Sequence, residues 1–153
     1  MMSKSSNSLD NMLALDKQFC FALYSASLAM TKTYKPLLDK IGLTYPQYLV
    51  MLVLWQEDKL LVKSIGEKLF LDSGTLTPLL KRLEASGNIV RIRDQEDERQ
   101  VRITLTREGR ALKRRAQDIP TQMICASGRS QHALGDLRRQ LALIRDELVR
   151  ANQ

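Results

Sequence analysis

Cysteine, histidine and long apolar runs are all scarce in this chain of 153 residues, which holds two cysteines and one histidine. A structural zinc site takes about four Cys or His ligands. Cys20, Cys125 and His132 fall short of that and show no C-x-x-C or H-x-x-x-H pairing, so neither a metal nor another cofactor is expected. No stretch approaches the roughly 18 uncharged apolar residues a membrane span needs, and the opening MMSKSSNS leads into no apolar signal core,. The expected location is the cytoplasm, with no membrane partner. There is no internal repeat. In a reducing compartment two thiols are by default small packing groups. What remains is a chain 44% apolar and 27% charged, long enough to bury a core without disulfide staples.

The formal net charge is +7, and it is local. Residues 1–62 carry 6 basic and 5 acidic side chains, whereas residues 91–115 carry 9 basic and 5 acidic. Arg91, Arg93, Arg99 and Arg102 surround Asp94, Glu96, Asp97 and Glu98. A charge run is often only a solvated face, but focused arginine in a basic chain points to a polyanion. Nucleic acid is favoured over a membrane surface, because no basic amphipathic helix with a Trp or Phe face accompanies the cluster.

Hydrophobic periodicity predicts one long helix from about Leu9 to Met30, and a kink or fresh start near Tyr34 to Pro36 that continues to a stop at Gly42,. Thr44 reads as the N-cap of the next helix, with Pro46 in its first turn and Trp55 near its end,. Ser64-Ile-Gly-Glu67 has capping-box spacing for a short helix to Phe70,. Leu71-Asp72-Ser73-Gly74 is a tight turn into a second helix that ends at Gly87,. Ile89–Arg93 and Val101–Leu105 alternate as strands around a charged tip,. Thr106 then caps a helix to about Cys125, bent at Pro120, and a break at Gly128 to Ser130 precedes a last amphipathic helix.

Two short helices and a tight turn make a helix-turn-helix, and the hairpin that follows makes it winged. The fold class expected is mainly α with a small β-hairpin, a winged helix-turn-helix flanked by N- and C-terminal dimerisation helices. In that division residues 1–8 are a flexible N-terminus and 9–153 one domain. Within the domain, 9–58 and 107–150 are mainly dimerisation helices and 60–106 are the winged unit.

Such a unit suits duplex DNA. The second helix presents Ser73, Thr75 and Thr77 near its start and Lys81 and Arg82 further on, for phosphates or base edges,. Ser73 serves equally well as a helix cap. Arg99 is either a solvated loop arginine or a minor-groove probe, and Asp97 either a turn former or the carboxylate that orients it. The apolar stripes of the long terminal helices exceed what the winged unit covers, so a homodimer is expected on successive major grooves of a double-stranded operator.

The segment Asp97-Glu-Arg99-Gln-Val-Arg-Ile-Thr-Leu105-Thr106 resembles the D-x-R-x(5)-L-T wing of the MarR family of transcriptional regulators. YKPLLDKIGLTYPQYLVMLVLW (Tyr34 to Trp55) and LDSGTLTPLLKRLE (Leu71 to Glu84) are similar to its OhrR branch, repressors that respond to organic hydroperoxides. The resemblance implies that Cys20, in Cys20-Phe-Ala-Leu-Tyr24, is a peroxidatic cysteine. It also implies that Tyr34 and Tyr45 of the partner chain hydrogen-bond its sulfur, and that Cys125 is a resolving cysteine. The two-cysteine subgroup further implies a disulfide between subunits.

The chemistry fits those residue types. A thiolate attacks a peroxide O–O bond, and hydroxyl donors aimed at sulfur favour that charged form. The resulting sulfenic acid can be captured by a second thiol. A pocket lined by Phe19, Phe21 and Met51 would favour an alkyl peroxide. The alternatives are a MarR-type regulator answering a small aromatic or phenolic ligand with both cysteines structural, and a thiol peroxidase. The peroxidase lacks a thioredoxin-like C-x-x-C and leaves the DNA-binding unit without a role, so no enzyme is expected.

Overall fold

The computed structural model describes Leu9 and residues 11–153; the stretch 1–8, expected to be flexible, lies outside the described residues. The chain divides into two compact units, Met1–Tyr48 and Leu49–Gln153.

In the first unit a short 3-10 turn, Leu15–Lys17, precedes helix α1, Phe19–Asp39. The long helix expected from Leu9 is thus interrupted. The Gln18 side-chain amide donates to the carbonyls of Met12 at 2.6 Å and Ala14 at 3.0 Å, which holds the chain out of a continuous ladder. In the other direction α1 runs on through Pro36 without the expected fresh start. Pro36 and Lys32, whose carbonyl loses its donor, are both exposed, so water can take the place of the missing bond.

The end of α1 follows the Schellman pattern: the Leu43 N–H donates to the Leu38 carbonyl at 3.1 Å around Gly42, which sits at φ +70°,. Leu38 and Leu43 are buried together with Ile41 and Tyr48. Helix α2, Tyr45–Gln56, opens on a capping box. The Gln47 N–H donates to Thr44 Oγ1 at 3.4 Å, and the Thr44 N–H to Gln47 Oε1 at 3.0 Å,.

The second unit takes up the chain within α2 and continues with strand β1, Leu60–Leu61, helices α3, Val62–Leu69, and α4, Ser73–Ala85, then strands β2, Ile89–Arg93, and β3, Val101–Leu105. The hairpin has the expected bounds. It gains a third strand that has no two-residue alternation to show in sequence: β1 pairs antiparallel with β3, giving the order β1-β3-β2. Helix α3 begins at Val62 and has no side-chain cap, so Ser64 lies inside it and the expected capping box does not form. Its C-cap, Phe70, takes the left-handed conformation at φ 58°, an uncommon state for a non-glycine.

Leu54, Ile65, Leu76, Leu80, Leu83, Ile89 and Ile103 are almost fully buried, which joins α2, both helices of the helix-turn-helix and the sheet into one core. The helix expected from Thr106 to Cys125 is two helices, α5, Arg107–Arg115, and α6, Ile119–Ser127. The chain tightens at the end of α5, where Ile119 N–H donates to the Ala116 carbonyl at 3.1 Å. Pro120, which has no N–H, then lies in the first turn of α6,. Gly128, at φ 67°, ends α6, and Ser130 caps α7, Gln131–Ala151.

Helix α7 buries no residue and exposes Leu137, Leu141, Leu143, Ile144 and Leu148, as α1 exposes Phe19, Phe21, Leu23, Leu28 and Met30. Among the described residues no helix is long and apolar enough to cross a membrane.

Candidate functional site

The surface of α4 is set by its cap. Asp72, and not Ser73, occupies the N-cap: its Oδ1 accepts the Thr75 N–H at 2.7 Å. That bond holds the Asp72 carboxyl below its ordinary range,. Ser73 is the first helical residue, exposed along with Thr75. Thr77 is half-buried, and its hydroxyl donates to the Ser73 carbonyl at 2.7 Å, leaving its oxygen lone pairs to accept. Lys81 and Arg82 are exposed further along. The short hydroxyls and the basic pair thus share the helix expected to read DNA.

The wing is braced at its base. Arg102 donates to Asp94 Oδ1 through Nε at 3.1 Å and Nη2 at 3.0 Å, and through Nη1 to the Lys59 carbonyl at 2.6 Å. Asp94 also accepts the Asp97 N–H at 3.3 Å. At the tip Asp97 Oδ1 accepts from Arg99 twice, from the backbone N–H at 3.1 Å and from Nε at 3.2 Å. Asp97 therefore forms the turn and orients the arginine at once, while the Arg99 side chain stays 91% exposed. Arg91, in contrast, is neutralised. Its backbone N–H donates to Glu84 at 2.9 Å and its guanidinium pairs with the same carboxylate at 3.1 Å. The Arg91 N–H, more than its charge, holds the Glu84 carboxyl below its ordinary range.

Between α3, α4 and the wing lies a cavity of about 260 Å³ lined by Lys63, Thr77, Arg91, Arg99 and Gln100 over an apolar floor that includes Leu80 and Val101.

The thiols are carried by other helices. Cys20 is the second residue of α1, and Cys125 lies in the last turns of α6; both are free and exposed. Tyr34 is on the same helix as Cys20, 14 residues on, which at the helical rise is about 21 Å. Within one chain the two side chains are out of reach. Tyr34 instead packs on Tyr45 with ring centroids 4.8 Å apart.

Tyr48 completes a triad, 5.9 Å from Tyr34 and 6.4 Å from Tyr45. Burial, followed by the neighbouring phenols, pushes Tyr34 up to about 12, and burial raises Tyr45 and Tyr48 as well. All three are therefore O–H donors at neutral pH. In the sequence Tyr48 is one more residue of the apolar stripe of α2; its one signal as a site residue is the spacing of three from Tyr45, which puts both on one helix face. Of the groups expected to line an alkyl pocket, Phe19 and Phe21 are exposed on α1, whereas Met51 has no exposed surface and is spent on packing.

A helix-turn-helix with a braced wing and a hydroxyl-rich second helix defines a winged helix DNA-binding regulator. Comparison with known proteins gives its kin. Residues 32–116 match the family described as transcriptional regulator SarA/Rot. The organic hydroperoxide resistance transcriptional regulator of Bacillus subtilis (strain 168) is 50% identical over 146 residues, 95% of this chain and 99% of its own. Among solved structures, reduced AbfR bound to DNA is 38% identical with a TM-score of 0.74, over 93% of this chain and 99% of that one. Disulfide-formed AbfR is 36% identical with a TM-score of 0.59, over 95% and 97%; AbfR is a protein of Staphylococcus epidermidis. The chain belongs to the MarR-like SarA/Rot family of transcriptional regulators, and its likeness to the hydroperoxide resistance regulator bears out the resemblance to the OhrR branch.

Proposed function

We propose that the chain is a homodimeric, cytoplasmic repressor that binds a double-stranded operator through Ser73, Thr75, Thr77, Lys81, Arg82 and Arg99. Asp97 orients Arg99, and an organic hydroperoxide oxidising Cys20 releases the operator. The observation that carries the sensor is the separation along α1 of Cys20 from Tyr34 and from the phenols packed on it. Phenols clustered at one end of α1 can serve a thiol near its other end only across an antiparallel pair of chains. The uncovered apolar faces of α1 and α7 are what such a pair would bury.

The chemistry closes without a cofactor. The Cys20 thiolate attacks the terminal oxygen of ROOH and the O–O bond breaks. Sulfur keeps the OH as a sulfenic acid, and the alkoxide leaves and takes a proton from water to give ROH. The Cys125 thiolate then attacks the sulfenic sulfur, forms the disulfide and expels hydroxide, which is protonated to water. Tyr34 and Tyr45 of the opposite chain supply O–H donors to the sulfur. Joining α1 to α6 shifts the helices that space the two DNA-reading units, so the units lose their register on successive grooves.

A DNA gel shift paired with a non-reducing gel, with and without cumene hydroperoxide, tests the scheme. Cys20→Ser is expected to bind DNA and to stay bound after peroxide. Release of that variant by peroxide would overturn the thiol switch, and a Cys125→Ser protein that still runs as a disulfide-linked dimer after peroxide would remove Cys125 from it.

A further inference from the structure

We propose that Lys63, on the first helix of the helix-turn-helix, seats a DNA phosphate in the cavity between that motif and the wing. The inference rests on the reading that DNA docks against α4 and the wing, and adds to it a residue from a third element. A recognition helix in the major groove and a wing in the adjacent minor groove have a sugar-phosphate strand running between them. The cavity of about 260 Å³ occupies that place, with Thr77 on the helix side, Arg99 and Gln100 on the wing side and Lys63 on the remaining wall.

The charge balance of the cavity singles out Lys63. Arg91 is cancelled by Glu84 at 3.1 Å, and Arg99 shares its charge with Asp97 at 3.2 Å. Lys63 is exposed, and among the described residues no carboxylate lies within ion-pair distance of it, the exposed Glu67 one turn along included. Leu61, Val62, Leu80 and Val101 make up the apolar part of the lining, and a poorly polarisable wall strengthens the attraction of an ammonium for a phosphate. The Thr77 oxygen on the opposite wall has its proton committed to Ser73; it can accept from a phosphate-bound water, while Gln100 can donate.

Binding of the reduced full-length protein to a fluorescent duplex of arbitrary sequence, about 30 base pairs long and titrated from about 0.05 to 0.2 M salt, tests this, because non-specific affinity comes from phosphate neutralisation. Each dimer presents two Lys63 side chains. Lys63→Gln is expected to reduce the slope of log K against log salt by about 1.8 and to weaken binding roughly 30-fold at about 0.15 M salt. Lys63→Arg is expected to keep the parent slope, since its charge is retained. Arg99→Gln serves as the reference. If Arg99→Gln flattens the slope and Lys63→Gln does not, the seat is overturned and the docking face stands; if neither does, both are overturned. A flattened slope in Lys63→Arg as well would mean shape and not charge, which also overturns the seat. Melting curves of each variant keep folding separate from binding.

Discussion

The indole N–H of Trp55 donates to the Gly109 carbonyl oxygen at 2.9 Å across 54 positions of sequence. That bond fastens the end of α2 to the first turn of α5. The same turn is anchored on its other side by Thr106, whose hydroxyl donates to the Gly87 carbonyl at 2.6 Å and accepts the Gly109 N–H at 3.0 Å.

Gly109 has no room for a side chain, because a Cβ there would collide with the Asn88 carbonyl oxygen, a backbone atom that cannot step aside. Gly109→Ala is therefore expected to cost more than losing the indole bond: about 3 kcal/mol or more against about 1 to 2 kcal/mol for Trp55→Phe. Urea denaturation followed by far-ultraviolet circular dichroism measures both without relying on the Trp. A larger loss in Trp55→Phe would show that the junction is held by the indole and not by backbone approach.

Asp72 and Ser73 are neighbours with different duties. Asp72→Ala removes the acceptor of the Thr75 N–H and is expected to lower the melting temperature. Ser73→Ala touches no hydrogen bond of the fold and is expected to leave the melting temperature close to the parent value while weakening DNA binding. The Asp72 carboxyl is depressed by its bond to Thr75, so the stability it adds is present above the ordinary carboxylate range and is lost as pH falls through its lowered folded pKa. The acid limb of a melting-temperature profile should therefore be shallower in Asp72→Ala; equal limbs would deny the cap its role.

Much of this was legible in the sequence, for physical reasons. The period-two strands of the hairpin, the caps at Thr44 and Thr106, and the stops at Gly42, Gly87 and Gly128, all at positive φ, are decided within a few residues of chain. What stayed hidden was decided at a distance or by close competition. The two residues of β1 are strand only because Ile103 and Arg102 pair with them. The break before α1 depends on where one glutamine amide points. Asp72 and Ser73 are both good caps, and geometry alone selects between them. The tyrosine triad needed the turn at Gly42 to bring α1 and α2 together, so Tyr48 read as core.

Arg102 and Asp94 form the brace that holds the wing, with Asp94 12% exposed and Arg102 40%. Arg102→Met leaves a largely buried carboxylate with the Asp97 N–H in place of three donors, and is expected to destabilise the chain by about 1 to 3 kcal/mol. Asp94→Leu made together with it removes the stranded charge. The double variant is expected to be more stable than the sum of the single losses by about 1 kcal/mol. Strict additivity in that cycle would mean the two side chains do not act as a pair.

Tyr34 gives the alkaline counterpart. Its phenol is pushed from an ordinary 10.0 up to about 12 in the folded chain, by burial first and then by Tyr45 and Tyr48. The unfolded chain therefore loses this proton before the folded one does, and binds fewer protons between those two values. The stability contributed by the neutral phenol is fully present below pH 10 and falls away as pH rises toward 12. Solvent reaching the half-buried ring softens the effect without changing its sign. Tyr34→Phe keeps the ring and has no proton to lose, so its denaturation midpoint should decline less steeply than the parent's between pH 10 and 12. Parallel declines would show that the phenol titrates alike in both states. In that case the triad would not be the desolvated cluster of donors that the proposed contact with a partner chain's thiol requires.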